Sequence, residues 1–95
     1  MKKINFYIGS NNITHELEKQ KALDILSSTY DGMSITELVG VWQGIKEQTM
    51  LVSVVCDTVD YTQVKLVCKK LNRELEQQAI MVEILDSNTI FISER

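Results

Sequence analysis

The stretch most suited to chemistry is Gly9-Ser10-Asn11-Asn12, which follows a strand pattern and precedes a helix pattern. Backbone amides at such a junction can hold a phosphate or carboxylate, because the amino end of a helix carries partial positive charge. The stretch lacks both the GxGxxG pattern and the P-loop lysine. Ser10, Asn11 and Asn12 are nevertheless candidates for contacting a ligand or partner. The alternative is that they form only a turn and a helix cap.

His15 is the only histidine. Beside the first turn of the expected helix its neutral form is favoured, and a neutral imidazole can accept a proton. Catalysis or metal binding would need further partners, and no suitable motif accompanies it. We interpret His15 as an exposed helix residue and predict no catalytic residue, metal or cofactor.

Two glutamates and two aromatic residues are further candidates. Glu37 and Glu47 bracket a predicted hairpin, where one carboxylate in a cleft could act as a base, although a solvated strand end is the simpler interpretation. Tyr7 and Trp42 could stack on a flat ligand or a base, or pack in a dimer. Trp42 and its neighbour Gln43 join the candidate ligand or partner contacts.

A basic ridge on the second predicted helix consists of Lys65, Lys69 and Arg73, spaced four residues apart. These cations could contact phosphates, but a solvated helix face is the alternative because acidic residues lie nearby. The chain has 13 acidic and 10 basic residues. A nucleic-acid partner is therefore not expected.

The central element is a hairpin with strands over Thr36–Trp42 and Thr49–Val55. We place the turn in the five residues 43–47, where Gly44 can adopt a positive φ. Alternation puts Leu38, Gly40 and Trp42 on one face of the first strand and Val39 and Val41 on the other. Both faces are apolar, so helices should cover one and a second copy of the chain the other.

The remaining elements follow from periodicity and capping patterns. Residues 4–9 alternate as a strand, and Thr14 is a plausible N-cap of a helix that carries Glu16 and Glu18 in its first turn and ends at residues 31–32. Asp60 and Gln63 resemble a capping box for a second helix. Residues 79–85 form a strand, and residues 89–93 a short last strand or a continuation of it. The second helix has an apolar stripe formed by Val64, Val67, Cys68, Leu71 and Leu75.

This order of elements predicts an α+β fold, the ferredoxin-like βαββαβ plait, with an antiparallel sheet and two helices on one face. The first and third strands should be central, with the second beside the third and the fourth beside the first. The face away from the helices should form a homodimer interface containing Tyr7, Trp42, Leu51 and Met81.

Length and composition indicate one domain, because 95 residues with 44% hydrophobic and 24% charged side chains are typical of a globular protein. No run of 18 apolar residues occurs, and Lys2-Lys3 leads directly into a strand pattern. We expect a cytoplasmic protein without membrane contact. Cys56 and Cys68 are then expected as reduced, small hydrophobic residues.

Three segments also carry a family resemblance: YIGSNN with Thr14, the ELE of residues 16–18, and GVWQG followed by Glu47 and Thr49. Together they resemble a group of small bacterial and phage-type proteins of unknown function with ferredoxin-like folds. The resemblance implies no catalytic residue. It implies that a mobile-element or anti-defence role is one hypothesis.

Three functional hypotheses follow. The first is a non-catalytic homodimeric binding or regulatory module. The second is a phage or mobile-element inhibitor of a host defence nuclease, acting by protein–protein contact in the manner of an anti-CRISPR protein. The third is a small dimeric ferredoxin-fold enzyme of isomerase or monooxygenase type, which would need a pocket containing a perturbed carboxylate or His15.

Overall fold

A computed structural model describes residues 1–94. Within this range the chain forms four strands and two helices. In order these are β1 (Lys2–Ile8), α1 (Lys19–Ser27), β2 (Ser34–Trp42), β3 (Ile45–Cys56), α2 (Tyr61–Glu74) and β4 (Met81–Asp86).

The four strands make one antiparallel sheet in the order β2-β3-β1-β4. This is the ferredoxin-like plait, with β1 and β3 in the centre as predicted. The core lies between the sheet and the helices, because the buried apolar residues of β1 and β3, among them Ile4, Phe6 and Val52, occupy every second position of each strand. Its largest fully buried side chains are Phe6, Ile4, Ile8, Leu26, Met50, Leu71, Leu75 and Val52.

The β2–β3 hairpin has the predicted alternation but a tighter turn. Leu38 pairs with Thr49 and Trp42 with Ile45, so β3 begins at Ile45 and not at Thr49. The five-residue turn predicted over residues 43–47 is wrong: only Gln43 and Gly44 connect the strands, with φ values of 50° and 78°. Positive φ at both central residues matches a type I′ turn, whose twist suits a hairpin.

The start of α1 was predicted too early. Thr14 is not its N-cap, since α1 begins at Lys19 with Glu18 as the N-cap residue. His15 has a φ of 62°, which interrupts any helix begun at Thr14. The helix ends at Ser27, before the predicted residues 31–32. Its buried face is Ala22, Ile25 and Leu26.

The sequence predicted α2 more closely. The Asp60 side chain accepts a hydrogen bond from the Gln63 amide at 3.1 Å, as an N-cap does. Leu71 and Leu75 of the predicted stripe are buried, whereas Leu66 on the opposite side is 61% exposed. The helix C-terminus closes with Glu76 at a φ of 51°.

The strand predicted over residues 79–85 forms two residues later at its start, as Met81–Asp86. The further strand expected at residues 89–93 is not formed: the described chain from residue 87 to 94 has no regular element. Among the described residues, no helix is both long and apolar enough to cross a membrane.

Candidate ligand groove on the outer sheet face

The sheet face opposite the helices, here called the outer face, carries a groove at one end of the sheet. The groove has a volume of about 630 Å³ and receives residues from the ends of β1, β2 and β3 and from the start of β4. It is lined by Tyr7, Gly9, Asn12, Leu38, Gly40, Val41, Trp42, Glu47, Thr49, Gln77, Gln78, Ala79, Ile80 and Met81. We call it the outer groove.

Strand register places the two aromatic residues of the groove on one sheet face, but about 20 Å apart along β3, because Tyr7 is level with Leu51 and Trp42 with Ile45. Tyr7 lies directly opposite both Leu51 on β3 and Met81 on β4. Directly paired residues share a sheet face, so these three side chains lie on the outer face. On β2, Thr36 lies opposite Leu51 and Trp42 lies six positions further on. An even separation along a strand keeps residues on one face, so Trp42 is also on the outer face, where its side chain is half exposed. The four residues predicted at a homodimer interface therefore share one sheet face, with Trp42 at its hairpin end.

The opposite wall is the segment that joins α2 to β4. The Gln77 amide donates to the Asn72 carbonyl at 3.0 Å, which closes α2 in a Schellman turn around Glu76. The Asn12 amide then donates to the Glu76 carbonyl at 3.2 Å, and the Gln77 side chain donates to the Ser10 carbonyl. These bonds hold the 76–81 segment against the loop after β1.

Glu47 is the one charged side chain among the described residues that line the groove. Its carboxylate lies so close to Gly9 that a Cβ added at residue 9 would be 2.9 Å from Glu47 Cδ. Such a close approach is tolerated only because residue 9 lacks a side chain. The Glu47 carboxylate therefore occupies the space that a side chain at residue 9 would fill.

A chain of hydrogen bonds crosses the outer face beside the groove. The Ser53 hydroxyl donates to Asn5 Oδ1 at 2.6 Å, and the Tyr7 hydroxyl donates to Glu83 Oε1 at 2.5 Å. Asn5 Nδ2 lies 3.5 Å from the same Glu83 oxygen and completes the chain. The hydrogen bond to Glu83 raises the pKa of Tyr7, because it stabilises the protonated phenol.

The structure brings together only part of the predicted contact set. Asn12 and Trp42 line the groove, as do Tyr7 and Met81, while Gln43 lies in the exposed hairpin turn. Leu51 is on the outer face but does not line the groove.

Ser10 and Asn11 have inward-facing roles. Asn11 Oδ1 accepts from the amides of Ile13 and Thr14 at 2.7 and 3.0 Å, and the Ser10 hydroxyl donates to the Gln48 carbonyl. Two of the loop amides expected to hold an anion, those of Asn11 and Asn12, donate instead to the carbonyls of Glu16 and Glu76. The Ser10 and Asn11 side chains are both buried. The loop also ends well before α1, so no helix amino end adjoins it.

The other candidates lie elsewhere. His15 is exposed in the loop and not on a helix, and Glu37 lies within β2, where its carboxylate is 2.8 Å from Lys19 Nζ. Lys65, Lys69 and Arg73 are exposed on α2, in the layer on the other side of the sheet. Within residues 1–94, no cluster of three or more histidine, cysteine or acidic residues could hold a metal ion.

Sequence reasoning missed the 76–81 wall and the Asn5–Glu83 pair. Gln77 and Gln78 sit between predicted elements, and Ala79 was expected only as the first residue of the last strand. Asn5 was a detectable signal, because it is a polar residue at a strand position whose neighbours are all strongly apolar.

The groove combines apolar and aromatic walls with a few polar groups. Trp42 and Tyr7 provide flat surfaces, Glu47 a carboxylate, and Asn12, Gln77 and Gln78 amide donors and acceptors. Its volume lies in the range of small-molecule sites, roughly 300 to 1,000 Å³. The arrangement suits a flat, neutral or cationic organic group.

Comparison with solved structures supports the fold. A phage SAM lyase in the apo state has a TM-score of 0.64 at 15% identity, covering 88% of this chain and 78% of that one. A DUF3240 family protein from Shewanella baltica OS155 has a TM-score of 0.63 at 13% identity, covering 98% and 97% of the two chains. No protein-family model and no curated protein sequence matches the chain. The chain thus shares its fold with small proteins of phage type or of unknown function.

Proposed function

We propose that the protein is a non-catalytic binding module that works as a homodimer and holds a small organic ligand in the outer groove. The observation that carries this proposal is the convergence of four chain segments on one apolar groove with a single carboxylate. Pockets of this composition, with few polar groups among apolar walls, are typical of ligand sites.

The charge of the groove favours one class of ligand. Glu47 and Trp42 both line the groove, and a carboxylate and an indole ring each attract a cation or a polarised N–H donor. An anion would face repulsion from the same carboxylate. We therefore propose a flat ligand that is neutral or positively charged.

A second copy would complete the site. The outer face exposes Trp42 at 51% and Met81 at 60%, and Leu51 is also accessible beside them. Burying such a surface against its equivalent in another protomer is a common way to cover an apolar sheet face. Because Tyr7, Trp42 and Met81 also line the groove, the contact would close the groove from above and couple ligand binding to dimerisation.

SAM is a suitable first probe, because it is a sulfonium cation with a flat purine and a structurally similar protein is described as a SAM lyase. Calorimetric titration with SAM, and with adenosine as its neutral counterpart, tests the proposed ligand class. We expect SAM to bind more tightly than adenosine, and Trp42→Ala to weaken binding at least about tenfold, the scale for losing a buried aromatic contact.

Val39→Ala is the matched control, because Val39 lies on the same strand but on the other face and outside the groove lining. It should bind both probes as the wild type does. If neither probe binds, or if both variants bind alike, the proposed ligand class is wrong.

An inhibitory role is the second candidate, since a structural neighbour of the chain is a phage protein. The outer face would then contact a host defence nuclease by shape and not by charge mimicry, because 13 acidic and 10 basic residues are nearly balanced. A nuclease protection assay with wild type and Met81→Lys distinguishes the inhibitory role from the ligand-binding role. Inhibition that Met81→Lys abolishes would favour this second role.

A further inference from the structure

The outer edge of β2 is open within the described chain. β2 is the end strand of the sheet and pairs only with β3, so one side of its backbone has no neighbouring strand. The strand is nine residues long and exposes Ile35, Val39 and Val41 on one face. Its single charged residue is Glu37, which lies beside Lys19. Long apolar edges with so little protection tend to pair with another strand.

The chain also carries a segment suited to such pairing. Residues 89–93 read Thr-Ile-Phe-Ile-Ser, a sequence of β-branched and aromatic residues typical of a strand. Ile90, Phe91 and Ile92 are 77%, 81% and 85% exposed, the largest values among the exposed large apolar residues of the described chain. Three consecutive side chains of this size are not expected to remain in water.

The segment cannot reach the β2 edge of its own chain. β4 and β2 are three strand spacings apart, and a strand added beyond β2 would lie about 19 Å from β4. Residues 87–89 span at most about 11 Å when fully extended. The β2 edge of a second copy has no such restriction.

We infer that residues 89–93 of one copy add as a strand to the β2 edge of a second copy. The main chains would supply the hydrogen bonds, as in other cases of strand addition, and side chains on alternate faces would supply the contacts. Ile90 and Ile92 would then cover the face with Val39 and Val41 while Phe91 turns to the other, or the reverse. This contact is separate from the outer-face contact, because it uses a sheet edge and a different set of residues.

Each copy has one such segment and one such edge. The exchange is therefore reciprocal in a dimer and continues around the ring in a larger cyclic assembly. In both cases every 89–93 segment and every β2 edge is paired.

Sedimentation equilibrium on full-length variants tests the inference. The double variant Ile90→Lys with Ile92→Lys should raise the dissociation constant of the assembly at least about tenfold, because the added charges and lost apolar contacts oppose pairing. Ile13→Lys is the matched control, since Ile13 is 70% exposed in the loop between β1 and α1 and belongs to neither β2 nor the 89–93 segment. It should associate as the wild type does.

Cross-linking between differently mutated chains checks the location. Chains carrying Ile90→Cys are mixed with chains carrying Val39→Cys or Val41→Cys, all with Cys56→Ser and Cys68→Ser. Oxidation should give mixed disulfide dimers, whereas Ile90→Cys with Ile13→Cys should give none.

Met81→Lys separates this contact from the proposed outer-face dimer. If the double variant Ile90→Lys with Ile92→Lys associates normally and Met81→Lys does not, strand addition is wrong and the outer-face contact is supported. If mixed cross-links form and the double variant Ile90→Lys with Ile92→Lys dissociates, strand addition is supported whatever the effect of Met81→Lys. A wild type that is monomeric at every concentration overturns the inference.

Discussion

Gly9 and Glu47 lie side by side in the lining of the outer groove, and the Glu47 carboxylate fills the space left by the missing side chain of Gly9. A methyl group at residue 9 must push this carboxylate aside. Because the displaced group is the flexible end of a side chain, Gly9→Ala should change the free energy of unfolding by less than about 1 kcal/mol. Titration with SAM should nevertheless show weaker binding.

Gly32→Ala is the control for this substitution, since a Cβ there meets no atom within 4 Å. It should bind SAM as the wild type does. Unchanged binding by Gly9→Ala would show that the position of Glu47 does not matter to the groove.

The Tyr7–Glu83 hydrogen bond should give stability a dependence on alkaline pH. The pKa of Tyr7 is raised above its ordinary value of 10.0, so the folded state holds the phenolic proton more tightly than the unfolded state. The stabilisation is fully present below pH 10 and is lost as the pH rises through the higher pKa of the folded state. Urea midpoints measured from neutral pH to well above pH 10 should therefore fall more for the wild type than for Tyr7→Phe.

Tyr61→Phe provides the comparison, because Tyr61 is an exposed residue of α2. Its pH profile should follow that of the wild type. Identical profiles for wild type and Tyr7→Phe would contradict a hydrogen bond to Glu83 in solution.

Leu71 and Leu66 lie on opposite sides of α2 and should respond very differently to truncation. Leu71 is fully buried, so Leu71→Ala should lower the free energy of unfolding by about 2 to 5 kcal/mol. Leu66 is exposed, and Leu66→Ala should change it by about 0.5 kcal/mol or less. Denaturant unfolding monitored by circular dichroism measures both. Equal effects would mean that the helix faces are assigned wrongly.

Two potential N-caps can be compared directly. Asp60 caps α2, so Asp60→Ala should cost about 0.5 to 2 kcal/mol. Thr14 precedes α1 by several residues, and Thr14→Ala should cost clearly less, because its hydroxyl accepts only an exposed 3.3 Å bond from the Glu16 amide. A larger loss for Thr14→Ala would indicate that α1 starts earlier in solution.

Periodicity predicted the central strands well because β1 and β3 are each buried on the face that packs on the helices. The alternation of Ile4, Phe6 and Ile8 determines which side of β1 packs on the helices, and the hairpin register then determines the outer face. The order of elements allowed one right-handed plait, and the observed strand order agrees with it.

The start of α1 and the length of the hairpin turn were predicted wrongly because local hydrogen bonds and backbone conformations there differ from those that the residue types favour. Thr14 followed by glutamates has the form of a helix start, yet the Asn11 side chain binds the amides of Ile13 and Thr14 and redirects the chain. At the hairpin, Gln43 adopts a positive φ that glutamine rarely takes, so a two-residue turn was not expected there.

The groove was only partly predictable for a different reason. Asn12 and Trp42 could be proposed from their residue types and positions. The wall at 76–81 depends on the bond from the Asn12 amide to the Glu76 carbonyl, a contact between segments more than 60 positions apart with no pattern in either. Long-range contacts of this kind arise only when the whole fold is assembled.

Mapping of SAM binding by nuclear magnetic resonance tests the central claim most directly. The single tryptophan gives one indole signal, and it reports on the groove. We predict that SAM shifts this signal and the amide signals of Gly9 and Glu47, while those of Lys65, Lys69 and Arg73 on α2 stay in place. Shifts confined to α2, or no shifts at all, would contradict a ligand site in the outer groove.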